Sequence, residues 1–177
     1  MMQASLVSQP TEEQLLAFGS LLARSGKVIE SQISGTSMGI TLPPGSRIRI
    51  QPLSVEEYQV GQTVAFVRGS MIFAHRIAYR TSQCVLTRGD NHAWSDLPMR
   101  AGAILGLVTE CLINGQWQRF EDVPHGLPVQ PWTKRVLETA VRTCMLIDIR
   151  LALQTSRALM DLVRLSHYLR MKFLRHL

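Results

Sequence analysis

The chain has 177 residues, enough for one domain with an appendage and a buried core. Its three cysteines are scattered, without a Cys-x-x-Cys pair or metal-ligand spacing, which argues against a disulfide scaffold or a zinc module. The net charge of +6 is uneven: residues 130–177 carry nine Lys or Arg against three acids, whereas residues 1–129 carry ten of each sign.

The N-terminus lacks a basic segment, and Glu12 and Glu13 interrupt it, so it does not read as a secretory signal. "LLAFGSLLA" is too short to span a bilayer. A cytoplasmic protein is expected, attached to a membrane peripherally if at all. Within residues 1–26, a short amphipathic helix is predicted over 11–25. Thr11 stands at its cap with Glu13 and Gln14 behind it, Leu15, Leu16, Phe18, Leu21 and Leu22 have helical spacing, and Gly26 stops it.

Residues 27–120 read as strands: "KVIESQI", "RIRIQPL", "TVAFVRG", "MIFAHRIAYR", "QCVLTRG", "AILGLVTECLI" and "QWQRF". They are rich in β-branched and aromatic residues and separated by Gly, Pro, Asn or Ser. A tight hairpin is predicted at Gly69-Ser70. Consecutive strands without intervening helices imply an antiparallel β-domain. Residues 121–132, with three prolines and a glycine, read as a linker. From Thr133 to about Phe173 no proline or glycine occurs, and the hydrophobic period is 3.6. One long amphipathic helix, or two in line, is predicted over 133–177. Arg135, Arg142, Arg150, Arg157 and Arg164 share one face of it. The fold class is therefore α+β.

"SGTSMGITLPPGSRIRI", residues 34–50, sets Ser37 on a Gly-containing bend before a strand. A serine nucleophile needs a base. No lysine lies between Met38 and Thr133, which leaves histidine. His75 sits in the strand "MIFAHRIAYR", and Asp90 and Asp96 sit in the loop "TRGDNHAWSD". A Ser-His-Asp set can be assembled from these three segments, with Ser37 attacking, His75 taking the proton and one of the carboxylates fixing the imidazole tautomer. His92 reads as a surface loop residue. Trp94 reads either as a shield for the site or as a packing residue.

In this order "SGTSM", "FAHRI" and "TRGDNHAWSD" resemble the three boxes of the type I signal peptidases. The closer likeness is to the branch that uses histidine where its relatives and the SOS-repressor autoproteases use lysine. The resemblance covers roughly residues 30–110. It implies Ser37 as nucleophile, His75 as general base, Asp96 as triad acid and Asp90 as a supporting acid near the histidine. Gly35, Thr36 and Met38 would form the oxyanion and substrate pocket, with Met38 lining the subsite before the cut and the N–H groups of Thr36 and Ser37 as oxyanion donors. Ile40, Ser46 and Gln62 stand where the family has proline or aspartate, and residues 1–33 are not expected to form the membrane-spanning helix that precedes the family's serine box.

The resemblance implies a serine endopeptidase that removes a leader or signal-like segment, with small side chains expected before the cut and neither cofactor nor metal. Self-cleavage would need an Ala-Gly or Cys-Gly bond upstream of Ser37; none is there, and Ala101-Gly102 lies downstream. The alternative is a non-catalytic scaffold on a peptidase fold, acting through Arg135, Arg142, Arg150, Arg157 and Arg164 on a membrane surface or an acidic protein. Only Tyr168 and Phe173 interleave aromatics among the basic residues, which argues against nucleic acid.

Overall fold

The computed structural model describes residues 11–69, 71–120 and 132–174. Helix α1 spans Glu12–Ser25. Thr11 Oγ1 accepts from the Gln14 N–H at 3.3 Å, and Gln14 Oε1 accepts from the Thr11 N–H at 2.9 Å, a reciprocal cap on its first turn. Gly26, at φ 63°, takes the left-handed conformation that ends it.

Eight strands follow: β1 (Ile29–Gln32), β2 (Arg47–Gln51), β3 (Thr63–Arg68), β4 (Met71–Arg80), β5 (Cys84–Arg88), β6 (Met99–Arg100), β7 (Ile104–Ile113) and β8 (Gln116–Arg119). They form one antiparallel sheet in the order β1-β2-β7-β3-β4-β5-β6, with β8 pairing to the far end of β7. Arg68 pairs with Met71 across the β3–β4 hairpin, and Gly69 has φ 61°; Ser70, the other expected turn residue, lies outside the described residues. The fold is α+β with a β-rich core. Strand β6 had no counterpart in the sequence reading, because two residues give no periodicity.

Alternation along β3 and β4 sends side chains to two cores. Val64, Phe66, Phe73 and Ile77 pack with Tyr58 and Val85 on one face. Ala65, Val67 and Ala74 pack with Met38, Leu42, Ile48 and Ile50 on the other. Each fully buried aliphatic side chain contributes about 1.5–3 kcal/mol, against about 1 kcal/mol for a typical hydrogen bond, so these clusters dominate the stability of the sheet.

The C-terminal segment forms two helices, α2 (Trp132–Ile147) and α3 (Ile149–Leu174). They do not lie in line. In a straight helix Cys144 and Thr155 would be about 16 Å apart along the axis, yet Cys144 Sγ lies 3.5 Å from Thr155 Oγ1. Asp148 makes the bend: its N–H closes α2 on the Cys144 carbonyl, and its Oδ1 accepts the Arg150 N–H at 2.5 Å as the cap of α3. Val141, Met145, Ala152 and Leu159 then pack on Tyr79, Cys84 and Leu86 of β4 and β5.

The bend also divides the arginine stripe. Arg142 lies over the Tyr79 ring and pairs with Glu138. Arg150, Arg157 and Arg164 are exposed on α3, Arg164 beside Asp161, and the side chain of Arg135 lies outside the described residues. The expected linker, residues 121–132, lies outside them too apart from Trp132. Among the described residues no helix is long and apolar enough to cross a membrane.

Candidate active site

Ser37 lies in the turn that follows β1, and His75 lies in β4 opposite Val64. Asp96 lies in the loop between β5 and β6, where its N–H donates to the Thr87 carbonyl at 2.7 Å. The three side chains form one hydrogen-bonded line. His75 Nε2 is 2.8 Å from Ser37 Oγ, and His75 Nδ1 is 2.6 Å from Asp96 Oδ2. An ionised Asp96 puts the imidazole proton on Nδ1, so Nε2 accepts the Ser37 hydroxyl proton. His75 is buried with its ring against Phe66 and Phe73, which fixes its plane.

Asp96 is held on all sides. Its Oδ2 also accepts the Thr87 hydroxyl at 2.7 Å, and its Oδ1 accepts Arg68 at 3.4 Å. Arg68 also donates to the Leu97 carbonyl at 3.2 Å, which ties the loop to β3. Burial pushes the Asp96 carboxyl up, but His75, Thr87 and Arg68 outweigh it and hold its pKa below the usual carboxylate value. The carboxyl therefore stays ionised where it is needed.

Asp90 does not reach the histidine. Arg76 donates to it with two nitrogens, at 2.9 and 2.7 Å, and Thr41 donates its hydroxyl at 2.9 Å. Successive residues on a strand face opposite sides, so His75 and Arg76 take different carboxylates of the same loop. Asp90 thus anchors the loop instead of standing beside His75. The next residue uses that anchor: the Asn91 N–H donates to the Ser37 carbonyl at 2.8 Å, and Asn91 Nδ2 donates to the Thr36 carbonyl at 3.2 Å.

Gly35, Thr36, Ser37, Phe73 and His92 line an open groove of about 550 Å³, with Leu15 of α1 at its wall. The His92 ring stands edge-on to that of His75, with centroids 5.7 Å apart. Met38 does not line the groove as expected. It is 1% exposed and sits in the core with Leu42 and Ile48, because the turn sends it inward while Ile40 projects outward at 83% exposure. Trp94 lies on the far side of the Asp96 loop, facing α2 and α3, and does not cover Ser37. The N–H groups of Thr36 and Ser37 donate to no carbonyl among the described residues, which leaves both available to an oxyanion. No cluster of metal-ligating side chains occurs among the described residues.

Gly89 allows the two loops to meet. A Cβ there would stand 2.5 Å from the Ser37 carbonyl oxygen and 3.1 Å from Ser37 Cβ. Gly89→Ala forces the two loops apart and is expected to shift Ser37 relative to His75. Since a displacement of about 1 Å can cost about 10²-fold in rate, the variant is expected to lose at least that much Ser37 reactivity. Its turnover, measured beside its melting temperature, checks this; unchanged turnover would mean that the loops yield elsewhere.

No family model, curated protein or solved structure matches this chain. The chemistry of the site therefore rests on its own geometry: a hydroxyl, an imidazole and a carboxylate in line at the wall of a groove can generate a serine nucleophile at neutral pH.

Proposed function

We propose that the protein is a serine endopeptidase of the signal-peptidase type, which removes a leader or signal-like segment from a peptide or protein. The observation that carries this reading is the line Ser37–His75–Asp96, joined at 2.8 and 2.6 Å beside an open groove. Ser37 Oγ attacks the scissile carbonyl as His75 Nε2 takes its proton. Asp96 stabilises the imidazolium. The N–H groups of Thr36 and Ser37 meet the oxyanion. The tetrahedral intermediate collapses, the C–N bond breaks, and the leaving amine takes the proton back from His75. Water then hydrolyses the acyl-enzyme with His75 again as base.

The groove suits an extended chain. From Met71 to His75, β4 is paired to β3 on one side, and its pairing with β5 begins only at Arg76. Among the described residues no strand pairs with the edge beside Phe73 and Ala74, which offers backbone hydrogen bonds to a substrate that adds as a strand.

The test is a comparison of protein and peptide N-termini in host cells carrying wild-type chain or Ser37→Ala. A defined set of termini is expected to vanish in the variant, and equally in His75→Ala. Identical termini in all three, with each protein folded, would overturn the reading and direct attention to the exposed arginines of α3.

A further inference from the structure

The bent helix pair reaches the candidate site from behind. Glu138 of α2 is 7% exposed, and its Oε1 accepts the Ser95 hydroxyl at 2.5 Å. Ser95 immediately precedes Asp96. Burying a carboxylate is costly unless it is paired. Here Arg142 donates to Oε2 at 3.3 Å, and Arg88, at the end of β5, stands 3.9 Å from Oε1.

We propose that Glu138 is a positioning residue for Asp96, so that the C-terminal helices form part of the active-site machinery. The inference rests on the peptidase reading above. The loop is held at three successive residues. Glu138 holds Ser95, the Thr87 carbonyl holds the Asp96 N–H, and Arg68 holds the Leu97 carbonyl. The two outer ties come from opposite sides, α2 and β3. Removing the α2 tie leaves Ser95 free to rotate and lets the carboxylate drift from His75 Nδ1. The Coulomb effect of the Glu138 charge on the site is secondary, because Arg88 and Arg142 offset it.

Three readouts test this. In proton NMR, the His75 Nδ1 proton, hydrogen-bonded at 2.6 Å, should resonate far downfield. It is expected to persist in Glu138→Gln, which keeps an acceptor for Ser95, and to vanish or move upfield in Glu138→Ala and Ser95→Ala. In cells, the Ser37-dependent termini should fall about tenfold or more with either alanine variant and recover most of the way with Glu138→Gln. KM should stay unchanged, since neither side chain lines the groove. Alanine variants that keep the downfield proton and lose only thermal stability would overturn the proposal. If the wild type yields no Ser37-dependent termini, the peptidase reading fails. The NMR comparison still decides the positioning in that case.

Discussion

Asp96→Asn is expected to slow Ser37-dependent cleavage by about 10⁴-fold while leaving the fold intact, the scale known for loss of the acid in Ser-His-Asp sites. The direction follows from the donors around the carboxylate. Oδ1 faces the Arg68 guanidinium, and Oδ2 faces His75 and Thr87. Asparagine keeps its carbonyl toward Arg68, which turns its NH2 toward His75 Nδ1. That nitrogen must then accept, the proton moves to Nε2, and His75 donates to Ser37 instead of receiving from it. The base is lost without a change of shape. Ser37→Ala should reduce cleavage to background, and the double variant should be little worse than Ser37→Ala alone, because the residues act as one unit.

The same carboxylate leaves a mark on acid stability. Its pKa is lower in the folded protein than in the unfolded chain, so its contribution is full above the unfolded value of about 3.9 and is lost as pH falls through the folded value. Asp96→Asn should remove that part of the acid destabilisation. Denaturant midpoints for both proteins between about pH 5 and pH 2 check this; parallel pH profiles would contradict it.

Much of the sheet was legible because its strands are runs rich in β-branched and aromatic residues bounded by turn residues, as "TVAFVRG" and "MIFAHRIAYR" are. The bend at Asp148 was not, since the 3.6 period continues on both sides of it and only the pairing of Asp148 with the Arg150 N–H marks a new start. Ser37, His75 and Asp96 were legible as residue types in separate segments, and the structure brings them together. Choosing between Asp96 and Asp90 needed one more step, the alternation of His75 and Arg76 on β4, which assigns each carboxylate its own partner. Met38 misled because its neighbour in sequence lines the groove, while the turn buries Met38 itself. Glu138 could not be found at all: it lies 43 residues beyond Ser95, on a helix whose packing no local pattern announces.

Asp90→Ala should act through stability where Asp96→Asn acts through chemistry. The Asp90 and Arg76 side chains are 2% and 8% exposed and share two hydrogen bonds. Removing the carboxylate strands a buried guanidinium, which costs about 3–5 kcal/mol. For a chain of this size that is a melting temperature lower by roughly 6–20 °C. Replacing both partners by apolar residues, Asp90→Leu with Arg76→Met, should recover a large part of the loss, because no charge is then left unpaired. The Thr41 hydroxyl also loses its acceptor in these variants, so recovery stays incomplete. Cleavage should fall in Asp90→Ala as well, since Asn91 holds the Ser37 carbonyl from the adjacent position. Thermal melts paired with turnover at a temperature where every variant is folded separate the two carboxylates. A stable but inactive Asp90→Ala, alongside an unstable Asp96→Asn, would exchange the roles assigned to them.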